Sequence, residues 1–190
     1  MEKKESRKNE ILEISAKLFK EKGYTAVSMR DIAAALGIKA SSLYNHIESK
    51  QDLLQEIILS IAHEFTQGMN TILSSDQPST EQLKRLIKLH VKIAVSNPSG
   101  LAALNKDWMH LKDQLSYYKQ LRHDYESNFR SIIAKGIQNQ EIKAVNEEVM
   151  LFSLLSTLRN LYLWIPKKDG VNQSQLESDL TTILISGINM

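Results

Sequence analysis

In nine segments of this chain apolar residues recur every three to four positions, while the two-residue alternation of a half-buried strand is almost absent. That period commits the chain to an all-α fold, because residues spaced this way share one face of a helix but would point to both faces of a strand. The three prolines, Pro78, Pro98 and Pro166, all stand in polar breaks between periodic segments. The spacing predicts a first helix over about residues 7–22, with Ile11, Ile14, Leu18 and Phe19 on one stripe and Gly23 closing it in the left-handed conformation. Ser28 with Asp31, and Ser49 with Asp52, have the three-residue spacing of a capped helix start. They open a short second helix (about 29–36) and a long fourth one running from Leu53 past Ile72, with a short third helix (about 40–47) between them. A fifth helix follows Pro78, a sixth carries Leu101, Leu104 and Trp108, and a seventh covers about 113–139.

The eighth helix, expected from near Asn146 to Pro166, is apolar almost all round: Val149, Leu151, Phe152, Leu154, Leu155, Leu158, Leu161 and Leu163. A helix of that kind must be covered on every side. A chain of 190 residues has little else to cover it with, so a second copy is the natural partner for the eighth helix and for the ninth, which carries Leu176, Leu180, Ile183, Leu184 and Ile188. The expectation is a homodimer through the last two helices, packed as four helices.

Composition removes several function classes. The chain has no cysteine, which excludes disulfides and thiolate metal sites. Its charged N-terminus lacks an apolar signal core, and no apolar run approaches the roughly 20 residues that span a bilayer, so no membrane is expected and the cytoplasm is. The net charge of +2 is small, but residues 1–50 hold ten Lys/Arg against seven Asp/Glu, whereas residues 51–190 hold fourteen against fifteen. A mildly basic front fits phosphate contact, as it fits an ordinary solvated helix face.

The function is carried by two short helices joined through a glycine turn, the outline of a helix-turn-helix. Ile32 and Leu36 face inward, Ala33 and Ala34 allow close approach, Gly37 permits the turn and Ile38 plugs it. The third helix then presents Ser41, Ser42, Tyr44, Asn45 and His46 outward over an inward Leu43 and Ile47. Serine, asparagine and histidine can meet phosphates or base edges, and asparagine can address adenine with two hydrogen bonds. Tyr44 can give its hydroxyl to a phosphate, His46 reads as a phosphate or packing residue, and Lys50 adds a cation at the start of the fourth helix.

The stretch GYTAVSMRDIAAALGIKASSLYNHIESKQDLL, residues 23–54, closely resembles the DNA-binding signature of the TetR/AcrR regulators. Gly23, Ile32, Ala33, Gly37, Leu43, Tyr44, His46, Ser49, Lys50 and Leu53 match without a gap. Lys39 stands where the family has a small hydroxyl residue, and Ile47 where it has Phe. The resemblance implies a three-helix DNA-binding head (1–50) and a six-helix ligand-binding and dimerisation body (51–190). It also implies a ligand-responsive repressor that is released from a double-stranded, palindromic DNA operator by a small molecule. The DNA-contact candidates are Ser28, Arg30, Lys39, Ser41, Ser42, Tyr44, Asn45, His46 and Lys50.

The body is similar to a branch of that family whose members respond to acyl-CoA thioesters. Trp108 and Leu111, then Tyr118, Arg122, Tyr125, Glu126, Phe129 and Arg130, then Trp164, Pro166 and Gly170 carry the similarity, while Gln140 and Ile142 stand where the branch has Gly and Phe. Trp108, Leu111, Tyr118, Arg122, Tyr125, Phe129 and Trp164 are accordingly the ligand candidates, and a hydrophobic or amphipathic effector, with acyl-CoA as the named candidate, is the expected small molecule. The aromatics serve equally as core or interface residues, and Arg122 calls for an anion, either Glu126 or the ligand. His90 lies on an apolar face and reads as a satisfied core histidine. His63, His110 and His123 lack metal-ligand spacing, so no metal and no cofactor are expected. No nucleophile triad, paired-carboxylate motif or glycine-rich phosphate loop supports the rival class, an enzyme or carrier.

Overall fold

The computed structural model describes the backbone of residues 2–165 and 170–186, and side chains from residue 6 onward within those ranges. Pro166 and Ile188, named above, lie outside the described residues. Among the described residues ten α-helices follow in order: α1 (Glu2–Lys22), α2 (Met29–Ala35), α3 (Ala40–Leu43), α4 (Lys50–Leu73), α5 (Ser79–Ser96), α6 (Pro98–Lys106), α7 (Leu115–Gln138), α8 (Glu147–Arg159), α9 (Leu161–Trp164) and α10 (Gln173–Ser186). No strand occurs among the described residues. No helix there is long and apolar enough to cross a membrane.

Local chemistry explains where helices start and stop. Ser28 and Asp31 form a reciprocal capping box: the Asp31 N–H donates to Ser28 Oγ (3.2 Å), and the Ser28 N–H donates to the Asp31 carboxylate (2.8 Å). Ser49 caps α4 likewise, accepting from the Asp52 N–H at 3.1 Å. Gly23 and Gly37 both take positive φ, +83° and +66°, which only glycine adopts without strain. Gln140 takes that conformation with a side chain (φ +63°), at the position where the resembling branch carries glycine. Gln140→Gly is therefore expected to raise the melting temperature by about 2 °C, since roughly 1–2 kcal/mol of backbone strain is relieved against a smaller loss to glycine's freedom when unfolded. A thermal melt at or below that of the parent chain would contradict this.

Three predicted segments differ from the structure. The third helix, expected to about residue 47, ends at Leu43: Asn45 and His46 turn to Ser42 and Leu43 carbonyls three residues back, tightening the last turn. The eighth segment is two helices broken at Asn160, whose side chain donates to the Ser156 carbonyl (2.7 Å) and whose φ/ψ leaves the helical region at −93°/0°. Trp108 belongs not to the sixth helix but to a 3₁₀ turn (Trp108–His110) that, with a second one (Lys112–Gln114), leads into α7. Within the motif, Ala34 is exposed and Leu36 half-buried, while Ile32, Ala33, Leu43 and Ile47 are buried as expected.

The chain divides into two compact units. The first joins the described residues up to Ala62 with Ser99–Tyr118, around Ile11, Phe19, Ile32, Leu43, Leu54, Leu101 and Leu111. The second joins His63–Pro98 with the described residues from Lys119 on. There α5 packs on α8, α9 and α10 over Leu83, Leu86, Ile87, Val91, Leu154, Leu158 and Leu176.

Candidate DNA interface and effector site

Two polar ends of one short stretch meet in the first unit. The Lys50 ammonium, at the start of α4, donates to the Val27 (2.7 Å) and Tyr24 (2.9 Å) carbonyls and lies 3.5 Å from that of Thr25. It also sits 4.4 Å from the centre of the Tyr24 ring. Lys50 thus braces the loop between α1 and α2, which orients the capped start of α2. The Tyr24 hydroxyl donates to Gln51 Oε1 (3.0 Å), Gln51 donates to the His110 carbonyl (2.8 Å), and the His110 ring stacks on Tyr24 at 5.2 Å. None of these partners was legible in the sequence, because they lie 23 to 86 residues apart.

The other DNA candidates point the opposite way chemically. Ser28 spends its hydroxyl on Asp31, donating to the carboxylate at 2.6 Å. That bond and the Ser28 backbone N–H hold the Asp31 carboxyl below its ordinary range. Arg30, Lys39, Ser41, Tyr44 and Asn45 are exposed and Ser42 and His46 half-buried. Among the described residues their side chains have no hydrogen-bond or ion-pair partner, whereas those of Tyr24, Ser28, Asp31, Ser49, Lys50, Gln51 and Asp52 in the same stretch do. Leu43 and Ile47 anchor the same turns from beneath. The motif therefore holds a rigid row of unspent donors and acceptors facing outward.

The effector candidates fall into both units. In the first, Leu111 is buried, and Trp108 packs on Tyr118 at 5.9 Å while the Tyr118 hydroxyl donates to the Leu104 carbonyl (3.2 Å). In the second, Arg122, Tyr125 and Phe129 line successive turns of α7. Arg122 Nε meets Glu126 Oε1 at 3.1 Å, and Arg159 from α8 meets the same oxygen at 2.5 Å. Of the two anions open to Arg122, the structure supplies the internal carboxylate, and it adds Arg159, which sequence reasoning missed. Burial pushes the Glu126 carboxyl up, but Arg159 and then Arg122 outweigh it and hold it below its ordinary value. Arg130 likewise pairs with Glu148 on α8. Trp164 is half-exposed on α9, where it lines a surface recess of about 520 Å³ with Asn160, Leu161, Leu176, Leu180 and Ile183.

His90 is buried, as expected of a core histidine: its Nε2 shares a 2.9 Å hydrogen bond with the Tyr125 hydroxyl, and its ring lies 4.6 Å from Phe65. Burial drives its pKa down to about 3, and the Arg159 charge acts in the same direction. Burial pushes the Tyr125 hydroxyl up, against a smaller opposing effect of Arg159. Among the described residues no group of His, Asp and Glu forms a metal cluster.

Comparison with known proteins places this geometry. Residues 11–57 match the family model described as bacterial regulatory proteins, tetR family, and residues 76–188 match that of the tetracyclin repressor-like C-terminal domain. Over 188 residues, 97% of this chain and 92% of the relative, the chain is 24% identical to the HTH-type transcriptional repressor KstR2 of Rhodococcus jostii. The solved structure of the ketosteroid transcriptional regulator KstR2 of Mycobacterium tuberculosis superposes with a TM-score of 0.90 at 21% identity, covering 97% of this chain and 95% of that one. AibR, solved in complex with isovaleryl coenzyme A and operator DNA, gives 0.76 at 21% identity, covering 94% and 98%. At these identities the structural likeness speaks for the fold.

Proposed function

Because the chain belongs to the TetR family of bacterial regulatory proteins, we propose that it is a homodimeric repressor of transcription, released from a palindromic operator by an acyl-CoA or a closely similar amphipathic molecule. In this reading residues 1–50 bind double-stranded DNA, and residues 51–190 bind the effector and dimerise through the last two helices. The chain works by binding, in the cytoplasm, and performs no covalent chemistry. The observation that carries the reading is the outward row of polar side chains on α3 and its following turn, unspent on the protein and fixed from beneath by Leu43 and Ile47.

The roles divide by chemistry. Arg30, Lys39, Tyr44 and His46 contact phosphates, which fix register; Ser41, Ser42 and Asn45 face base edges, which carry sequence information. Ser28 and Lys50 set the shape of the loop and add potential beside the phosphates. The Arg159 and Arg122 guanidiniums meet at the Glu126 carboxylate, and such cations suit a phosphate-bearing ligand, while Tyr125 beside them is apolar. The proteins it resembles support the effector class: AibR was solved with both isovaleryl coenzyme A and operator DNA. Release requires that the effector favour a body geometry in which the two heads no longer match groove spacing, since a ligand without such preference shifts nothing.

Selection of bound sites from random duplex DNA tests the first half. The expected product is a palindrome with half-sites centred about 34 Å apart or a multiple of that, and Asn45→Ala should alter the preferred base at one symmetric position. An asymmetric site bound by one chain would overturn the dimeric reading. Titrating acyl-CoAs of increasing chain length onto the complex tests the second half. If none dissociates it, the effector class is wrong and the DNA-binding reading stands.

A further inference from the structure

We infer that Gln51 and His110 are positioning residues for DNA recognition: they clasp the loop ahead of α2 to a turn far outside the helix-turn-helix, so that residues touching no DNA hold the DNA-reading surface in shape. Resting on the reading that residues 1–50 bind DNA, this adds what those residues need from the rest of the chain.

The loop of residues 24–27 leads into the capped start of α2 and carries one aromatic side chain, Tyr24. Three stretches of chain close a ring of contacts around it. The Tyr24 hydroxyl donates to Gln51 Oε1 (3.0 Å), Gln51 Nε2 donates to the His110 carbonyl (2.8 Å), and the His110 ring lies back on the Tyr24 ring, 5.2 Å away and 28° from parallel. The Gln51 amide accepts at one end and donates at the other, so its orientation is fixed: turned over, it would set oxygen against the His110 carbonyl. Phe19 meets the Tyr24 ring edge-on at 5.2 Å, and the Asp107 carboxylate accepts the Tyr24 N–H. The turn that supplies these groups is anchored by the buried Leu111, whose carbonyl Gln55 reaches at 3.5 Å. Residues 99–118 accordingly belong to the same compact unit as the motif.

Burial is not what this ring supplies. Tyr24 and Gln51 are half-buried and His110 is exposed, so little apolar surface leaves water there. What it supplies is direction, because hydrogen bonds and a stacked pair fix the angle of a side chain where an aliphatic contact would let it slide. The direction of the loop decides how α2 enters, and α3 packs on α2. A binding surface has to be held to within about 0.5 Å of its productive geometry. A loop without the clasp must be ordered again each time DNA binds, and that cost falls on affinity rather than on the fold.

The test measures the affinity of the full chain for the duplex it selects, well below its melting temperature, and the melting temperature beside it. Gln51→Met keeps the length of the side chain and removes both bonds, Tyr24→Phe removes the hydroxyl alone, and His110→Ala removes the stacked ring. Gln51→Met is expected to bind at least about tenfold more weakly than the parent, and the other two to bind more weakly as well. Adding Tyr24→Phe to Gln51→Met is expected to cost nothing further, because both remove the same bond. A residue that only stabilised the fold would lower the melting temperature and leave the affinity of the folded chain unchanged. A Gln51 that met DNA itself would give losses that add. Either result overturns the proposal. His110 is exposed, so His110→Ala is read even where a Gln51 variant does not fold, and parent-like affinity there overturns it too. A parent chain that selects no duplex removes the DNA reading and this one together; a parent that selects a duplex which its variants bind equally well removes this one alone.

Discussion

Phe152→Asp is expected to turn the dimer into a monomer and to weaken operator binding by a thousandfold or more. Phe152 is 72% exposed on α8, Val149 60% beside it, and Ile183 70% on α10. Three large apolar side chains held open on ordered helices are the kind of exposed surface that marks an interface. A two-fold axis places the same patch on both chains, so each substitution counts twice. Losing the burial of two phenyl groups at roughly 2–3 kcal/mol each, before the desolvation of two carboxylates, gives about 5 kcal/mol, or more than a thousandfold in the dimer constant. Operator affinity follows, because a monomer binds one half-site without the gain from linking two. The monomer should melt as a folded protein, since so exposed a residue contributes little to its own chain's core. Sedimentation velocity and operator titration on the same sample check both. A variant that remains dimeric at micromolar concentration would show that α8 and α10 are not the interface.

A second large effect concerns acid. His90 is neutral when folded, with its pKa depressed to about 3, whereas an unfolded chain protonates it near 6.5. Below pH 6.5 the unfolded state therefore binds the proton that the folded state refuses, and stability falls as pH falls, until the folded pKa is reached. The loss is about 1.4 kcal/mol per pH unit, hence about 2 kcal/mol between pH 6.5 and 5. Glu126, Glu148 and Asp31, whose carboxyls are held low by their partners, add their own loss only as pH approaches the carboxylate range. Urea denaturation from pH 8 to 5 measures the slope. In His90→Gln most of the fall between pH 6.5 and 5 should disappear; an unchanged slope would mean that His90 is not kept neutral by the fold.

Much of this was written in local sequence. Gly23, Gly37 and the Ser28 and Ser49 caps act on neighbours within four residues, and a backbone that must turn there has few other residues to do it with. The three- to four-residue period named the helices, and the outward polar row followed because Leu43 and Ile47 must face the core and so turn Ser41, Tyr44 and Asn45 away from it. The apolar eighth segment announced an unpaired face, since a single chain could not cover all of it. Tertiary structure decided what depends on distant partners. Lys50 reads as one more cation beside DNA, yet its ammonium is bound by carbonyls more than 20 residues away. Arg122 needed an anion, and only packing could bring α8 up so that Arg159 and Arg122 share Glu126. His90 and Tyr125 stand 35 positions apart, and no periodicity couples two helices in register. A sequence specifies which side chains face inward, because that is settled within a turn of helix; which of them meet is settled by how the helices cross.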